Sequence, residues 1–290
     1  MYSKYFNTPV YLFLFLSFLM PEKSYSQSFI FLNSFGEFKN ASSFTISSAG
    51  LIYITDSGTD EVYQLDTLGN IIKYTGGYGW GESQFDNPSD VYANPLSVYV
   101  CDKNNHRIER FDKDLNFIWQ LYTRNSDTSA QRFGYPMGCA VSSQGDLYIL
   151  DSENKRIIKF DMLGNFDLNF GGYDAGTFSL NNPNKLAVSD NNDIYIADGD
   201  RIVIFDSYGN GIAKARMNEK ISGLRIVFNY LTANSDSAIY IANLNVPALS
   251  FSKINLIGTS LSFPIIESFV FNNKLFVLTR NEIDVFMSPN

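Results

Sequence analysis

Histidine is nearly missing from this chain of 290 residues, and His106 is the only one. One imidazole cannot build a three-histidine zinc site. No serine and aspartate pattern around His106 marks a catalytic triad, and the chain has neither a Gly-x-Ser-x-Gly elbow nor a phosphate-binding glycine loop. Cysteine is almost as scarce. Cys101 and Cys139 are too few for a disulfide scaffold. Both sit in β-type runs and read as buried thiols. An oxidising destination leaves one bridge open, but a bridge depends on a Cα separation that sequence does not supply. Cations are in deficit: 22 Lys and Arg against 30 Asp and Glu give a formal charge of −8. Such a surface does not invite nucleic acid or anionic lipid.

Long apolar runs are missing too. Past residue 26 none approaches the roughly 20 residues that a membrane span needs. The first 26 residues have their own grammar: Lys4, a mostly apolar core over residues 10–20, Pro21, then small residues at Ser24 and Ser26. This is the layout of a secretory signal cleaved after Ser26, with a retained anchor as the alternative. The expectation is a signal peptide at 1–26 and one domain at 27–290, exported to a periplasmic or extracellular place. No cysteine follows the apolar core to take a lipid. Losing Lys4, Glu22 and Lys23 moves the formal charge from −8 to −9.

What the chain does have is a recurring phrase. Leu51-Ile52-Tyr53-Ile54-Thr55-Asp56, Val98-Tyr99-Val100-Cys101-Asp102, Leu147-Tyr148-Ile149-Leu150-Asp151 and Ile194-Tyr195-Ile196-Ala197-Asp198 are short β-type runs ending at aspartate. Their aspartates lie 46, 49 and 47 residues apart, a period that marks repeated units. Around each phrase the unit reads as four strands. A first strand follows a proline-containing loop (Val91-Tyr92-Ala93, Cys139-Ala140-Val141, Leu186-Ala187-Val188), and the phrase is the second. A third begins at Glu61, Arg107, Arg156 or Arg201, and Asp-x-x-Gly-Asn at 66–70, 161–165 and 206–210 turns into a fourth. No run carries a long 3.6-residue period.

Four antiparallel strands repeated radially make a propeller blade. Second strands at Leu51, Val98, Leu147 and Ile194, a fainter one at Ile239-Tyr240-Ile241-Ala242 and another from Lys274 to Leu278 give six blades. Residues 27–290 number 264, and 264/6 is 44 per blade. The sixth unit stops after a third strand, Glu282 to Phe286, while a surplus strand, Phe29 to Phe35, precedes the first unit. The expectation is an all-β, six-bladed propeller in which the N-terminal strand completes the last blade and removes the open edge.

Asp102-Lys103-Asn104-Asn105-His106-Arg107-Ile108-Glu109-Arg110-Phe111 resembles the signature of NHL-repeat proteins, and Asp151 to Phe160 resembles it nearly as well. Phe85-Asp86-Asn87-Pro88 and Phe133-Gly134-Tyr135-Pro136 match the approach the family places before it. The resemblance spans about residues 40 to 210 and implies six blades. The chain departs from the pattern at the shortened turn Asp198-Gly199-Asp200-Arg201, and at Asn243, which stands where a fifth aspartate is expected. Lyases related to this family are expected to use several histidines, which this chain does not have. Calcium-dependent lactonases of related folds need none, although no residue-level match to their site is present.

Four equivalent copies of one carboxylate point to structure. Asp56, Asp102, Asp151 and Asp198 are expected to accept backbone N–H groups. Arg107, Arg156 and Arg201 are expected to pair with carboxylate or backbone oxygens and to lie over aromatic rings. Tyr53, Tyr99, Tyr148, Tyr195 and Tyr240 share a second-strand position and should pack between blades. Recognition is expected from the irregular loops, where Trp80, Tyr122, Arg124 and Tyr173 offer large contacts on a rim. The reading is a recognition or scaffold module for a protein, peptide or glycan, with no catalytic residue assigned and no cofactor required. Calcium is left open, since channel-facing acids can converge, and with it a calcium-dependent hydrolase or lactonase as the enzymatic alternative. A structural part of an envelope or extracellular assembly is the third reading.

Overall fold

The structure, a computed structural model, describes residues 27–246, 249–258 and 261–289. The expected signal segment, 1–26, lies outside the described residues. A lone strand, β1 (Ser28–Phe35), comes first. The first blade is β2 (Ala41–Ile46), β3 (Ile52–Asp56), β4 (Glu61–Leu65) and β5 (Ile71–Gly76). The second is β6 (Pro88–Ala93), β7 (Ser97–Asp102), β8 (Arg107–Asp112) and β9 (Phe117–Tyr122). The third is β10 (Pro136–Val141), β11 (Leu147–Asp151), β12 (Arg156–Phe160) and β13 (Phe166–Phe170). The fourth is β14 (Pro183–Val188), β15 (Ile194–Asp198), β16 (Arg201–Phe205) and β17 (Gly211–Arg216). The fifth is β18 (Gly223–Val227), β19 (Tyr230–Asn234), β20 (Ile239–Asn243) and the short β21 (Ser252–Lys253). After β22 (Asn255–Ile257), the sixth runs through β23 (Glu267–Phe271), β24 (Lys274–Leu278) and β25 (Ile283–Met287).

Each blade is an antiparallel meander. The innermost strands touch in the order β2, β6, β10, β14, β18, β23, and β23 returns to β2, so the sheets stand around an axis. Burial explains the sequence texture. β7 and β11 are buried at every position, because both sheet faces meet neighbouring blades, and they read as continuous apolar runs. The outermost β9 alternates half-buried and exposed residues.

The ring closes as expected. β1 pairs antiparallel with β25, Phe31 opposite Phe286 and Ser34 opposite Asp284, and supplies the fourth strand of the sixth blade. The sheet then goes one strand further, because β22 pairs in parallel with β1.

The fifth blade corrects the sequence reading. Ile239-Tyr240-Ile241-Ala242 lies in β20, the third strand, between β19 and β21. The second strand is β19, whose buried Leu231, Thr232, Ala233 and Asn234 carry little apolar volume to betray it. Tyr240 is therefore not equivalent to the other four tyrosines. Asn243 ends a strand that runs the opposite way, on the face away from the repeated aspartates.

Antiparallel order gives the ring two distinct faces. One carries the turns between second and third strands and the blade-to-blade connections. The other carries the first-to-second and third-to-fourth turns.

Candidate functional site

The repeated aspartates tie strand ends to the incoming loops. Asp56 accepts the N–H groups of Lys39 (2.7 Å), Asn40 (2.9 Å) and Gly58 (2.8 Å). Asp102 accepts Asp86 N at 2.9 Å, Asp151 accepts Gly134 N at 3.1 Å, and Asp198 accepts Asn181 N at 2.9 Å. In the second, third and fourth blades the arginine of the next strand completes the clasp: Arg107 Nε is 2.8 Å from Asp102, Arg156 Nε 3.0 Å from Asp151, and Arg201 Nε 2.9 Å from Asp198, whereas the first blade has Glu61 at that position. Their remaining donors go to loop carbonyls. Arg107 reaches Trp80 O (3.0 Å), Gly81 O (2.9 Å) and Gln84 O (2.6 Å). Arg156 reaches Arg132 O (2.8 Å), and Arg201 reaches Ser179 O (2.7 Å). The expected stacking over rings is not where these guanidinium groups go, since backbone oxygens offer stronger, directed contacts. Among the described residues, the cations that do sit over rings are Arg110, Arg124, Lys159 and Lys214.

These clasps hold the face that carries the four rim candidates. Trp80 is 65% exposed, Tyr122 is 42% exposed and Tyr173 is fully exposed, each on a different blade-to-blade connection or its start. Tyr78 and Tyr135 are exposed on the same face. Of the four candidates, Arg124 alone joins a cluster. Its Nη1 lies 2.6 Å from Glu153, its guanidinium lies 5.9 Å from the Tyr135 ring centre, and its Nη2 is 3.5 Å from His106. Tyr135 N donates to His106 Nδ1 at 3.1 Å, which leaves the proton on Nε2. Burial and then Arg124 lower the His106 pKa, so the ring is neutral at pH 7.

Beneath the Trp80 loop lies Glu109, fully buried, accepting Ser83 N at 3.2 Å and paired with Arg107 at 3.1 Å. Burial pushes its carboxyl up to about 8, against the pull of Arg107.

The axis holds residues the sequence reading missed. Ser43, Asp90, Lys185, Arg225 and Glu267 come from the innermost strands of five blades and are all buried. The third blade contributes Gly138 at the same register, where a side chain would press on Leu186. Arg225 Nη2 lies 2.5 Å from Asp90 and 2.9 Å from Glu267. Ser43 Oγ donates toward Asp90 at 2.7 Å. Lys185 Nζ stands 3.6 Å from Asp90 and 3.5 Å from Glu267. Burial raises the Asp90 pKa and lowers that of Arg225, yet their mutual attraction outweighs it: Asp90 stays below its ordinary value and Arg225 above. Two anions and two cations thus neutralise one another across the channel. Above them opens a cavity of about 180 Å³ on the face opposite the clasps, lined from all six blades and including Arg225, Tyr92, Asn94 and Asp190.

Sequence carried a signal for this layer. Asp90, Gly138 and Lys185 each fall two residues after a proline, one residue before the expected start of the first strand. Those strands begin at the prolines, three residues earlier than expected, and the shorter reading left the charges outside.

Cys101 and Cys139 are free, buried thiols on neighbouring blades. With Asp90 they place two sulfur atoms and a carboxylate oxygen within 4.8 Å of one another, a grouping that can coordinate a metal ion. Burial pushes the Cys101 thiol well up, so it holds its proton at neutral pH. No helix among the described residues is long and apolar enough to cross a membrane.

A six-bladed ring with Asp–Arg clasps at the second and third strands defines a class of propeller. Residues 133–160 match the NHL repeat model. The chain is similar to NHL repeat-containing protein 3 of Mus musculus, 28% identical over 123 residues, covering 38% of this chain and 35% of that protein. It is also similar to Protein brain tumor of Drosophila melanogaster, 31% identical over 144 residues, covering 48% of this chain and 13% of that protein. The matched segment thus spans about a third or less of these curated relatives. Among solved structures, virginiamycin B lyase from Staphylococcus aureus aligns with a TM-score of 0.58 at 14% identity, covering 84% of this chain and 79% of that one. A streptogramin B lyase aligns with a TM-score of 0.59 at 10% identity, covering 88% and 96%. These two likenesses concern the fold alone. The chain thus carries an NHL repeat at residues 133–160 on a six-bladed β-propeller fold.

Proposed function

We propose that this propeller is an exported recognition module that grips a protein, peptide or glycan with its clasped face. The observation that carries the reading is the exposure of Trp80, Tyr122 and Tyr173 on loops whose backbones are fixed by Arg107, Arg156 and Arg201. Large aromatic side chains on ordered backbone lose little freedom on binding, which is the condition for contact energy to become affinity. Affinity capture from the native envelope fraction tests it, with the unaltered chain and a Trp80→Ala/Tyr173→Ala variant side by side. The variant should keep its melting temperature and lose its partner by roughly 30-fold, the loss expected when hot-spot aromatics are truncated. Equal capture by both proteins would remove the clasped face from consideration.

The enzymatic reading has one specific observation in its favour, the axial cavity with charged Arg225 on its lining, on a fold shared with two lyases. Calcium does not fit the residues gathered at the axis. It takes six to eight oxygen ligands, whereas Asp90 and Glu267 are already engaged by Arg225 and Lys185. Asp90, Cys101 and Cys139 suit a thiophilic ion better. Metal analysis of the purified chain discriminates. Stoichiometric calcium that disappears in Asp90→Asn would make enzymatic chemistry the better reading.

A further inference from the structure

The third-to-fourth hairpins of the first four blades each lean over the preceding blade, and at three of these four junctions the space beneath is filled. The hairpins share one residue at positive φ: Gly69, Leu115, Gly164 and Gly209. At Gly69 an added Cβ would collide with Phe35, and at Gly209 it would meet Phe170 at 2.8 Å. Between the first and second blades the filler is Leu115 itself, only 2% exposed and packed in the cluster that holds Tyr53 and Val62. Between the second and third blades neither solution is used. Gly164 has nothing within 4 Å of its Cβ position. The residue matching Phe170 is Leu121, as the pairings Ile157 with Phe170 and Ile108 with Leu121 show.

The result is a cleft of about 310 Å³ walled by Tyr99, Trp119, Leu121, Leu147 and Phe160. Arg110 lines it as well, its guanidinium 5.6 Å from the Tyr99 ring centre. Arg110 gives Nε and Nη2 to Ser97 Oγ, at 3.1 and 2.9 Å, and makes no ion pair among the described residues. Asp161, also on the lining, has both carboxylate oxygens bonded within its own turn, to Leu163 N, Asn165 N and Asn165 Nδ2. A cleft with three aromatic walls and one cation that has no carboxylate partner has the elements of a small-ligand site, and a guanidinium selects a carboxylate.

We propose that this cleft binds a small aromatic carboxylate, the ring among Tyr99, Trp119 and Phe160 and the carboxylate on Arg110. The site lies apart from the clasped face and from the axis, so it does not depend on either functional reading. Isothermal titration of the full chain with 3-phenylpropionate and its uncharged amide, 3-phenylpropanamide, tests the proposal. Saturable binding at one site is expected, about tenfold tighter for the acid. Arg110→Gln should erase that preference. Leu121→Phe, which copies the filled junction between the third and fourth blades, should abolish binding of both compounds. Gly164→Leu, which copies Leu115, gives the same test should the first filling variant not fold. No saturable binding at millimolar ligand, or binding that survives a folded filling variant, overturns the proposal.

Discussion

Arg225 keeps its charge although it is buried because two carboxylates meet it at 2.5 and 2.9 Å. Such a group is costly to break from one side, since removal leaves uncompensated charge. Arg225→Met should therefore destabilise the chain by about 3–5 kcal/mol. Asp151→Ala, which removes a turn acceptor, should cost less, about 1–3 kcal/mol. Denaturant midpoints of the two variants check the order, and a larger loss for Asp151→Ala would show that the clasps, and not the axis, dominate. Glu109 makes a pH prediction at the same scale. Its folded pKa, about 8, stands above the ordinary 4.5, so its neutral form suits the fold. Its contribution to stability is complete below the unfolded value and is lost as pH rises through about 8. Melting temperatures should fall across that window, and Glu109→Gln should flatten the fall. A wild-type profile identical to that of the glutamine variant would mean that Glu109 is ionised throughout.

Elements were legible wherever burial wrote itself into the sequence. The second strands of four blades are buried throughout and announced themselves as continuous apolar runs ending in aspartate. β19 did not, because its middle is threonine and alanine, and β20 took its place in the reading through Tyr240 and its neighbours. The axial charges were illegible for a related reason. They belong to the first halves of the innermost strands, where polar residues, at Asp90 and Lys185 after a proline, read as loop until the ring shows that five blades converge. The clefts between blades depend on which of two facing positions is large, a comparison that needs strand register. Leu115 tests that dependence. Its φ of 56° is the left-handed region that favours glycine, so Leu115→Gly relieves strain while emptying a filled junction. Lost packing of a buried leucine, about 2–5 kcal/mol, exceeds the backbone relief of roughly 1 kcal/mol. The variant should be less stable by a margin measurable in urea, and a gain in stability would show that the hairpin was held by its backbone alone.

Closure is a property of the whole ring, and its location is what β1 decides. All six blade junctions are sheets packed face to face, whereas the sixth blade itself joins both ends of the domain in one hydrogen-bonded sheet. Deleting residues 29–35 removes the backbone partners of β25 and exposes its edge, so that variant should unfold or aggregate. Native-like thermal unfolding of the truncated chain would refute closure by β1. A permuted chain separates the role of pairing from the loss of residues. Ile30 stands opposite Met287, so a short linker can join residue 289 to residue 27 with every strand retained. New ends placed within residues 217–222, between the fourth and fifth blades, leave that junction closed by side-chain packing alone. If strand exchange at the ends is what locks the ring, the permuted chain should bury the same core yet unfold faster in denaturant, because opening at the new ends breaks no sheet. An unfolding rate equal to that of the native order would locate the barrier in blade-to-blade packing around the axis, with Arg225 and its partners at its centre.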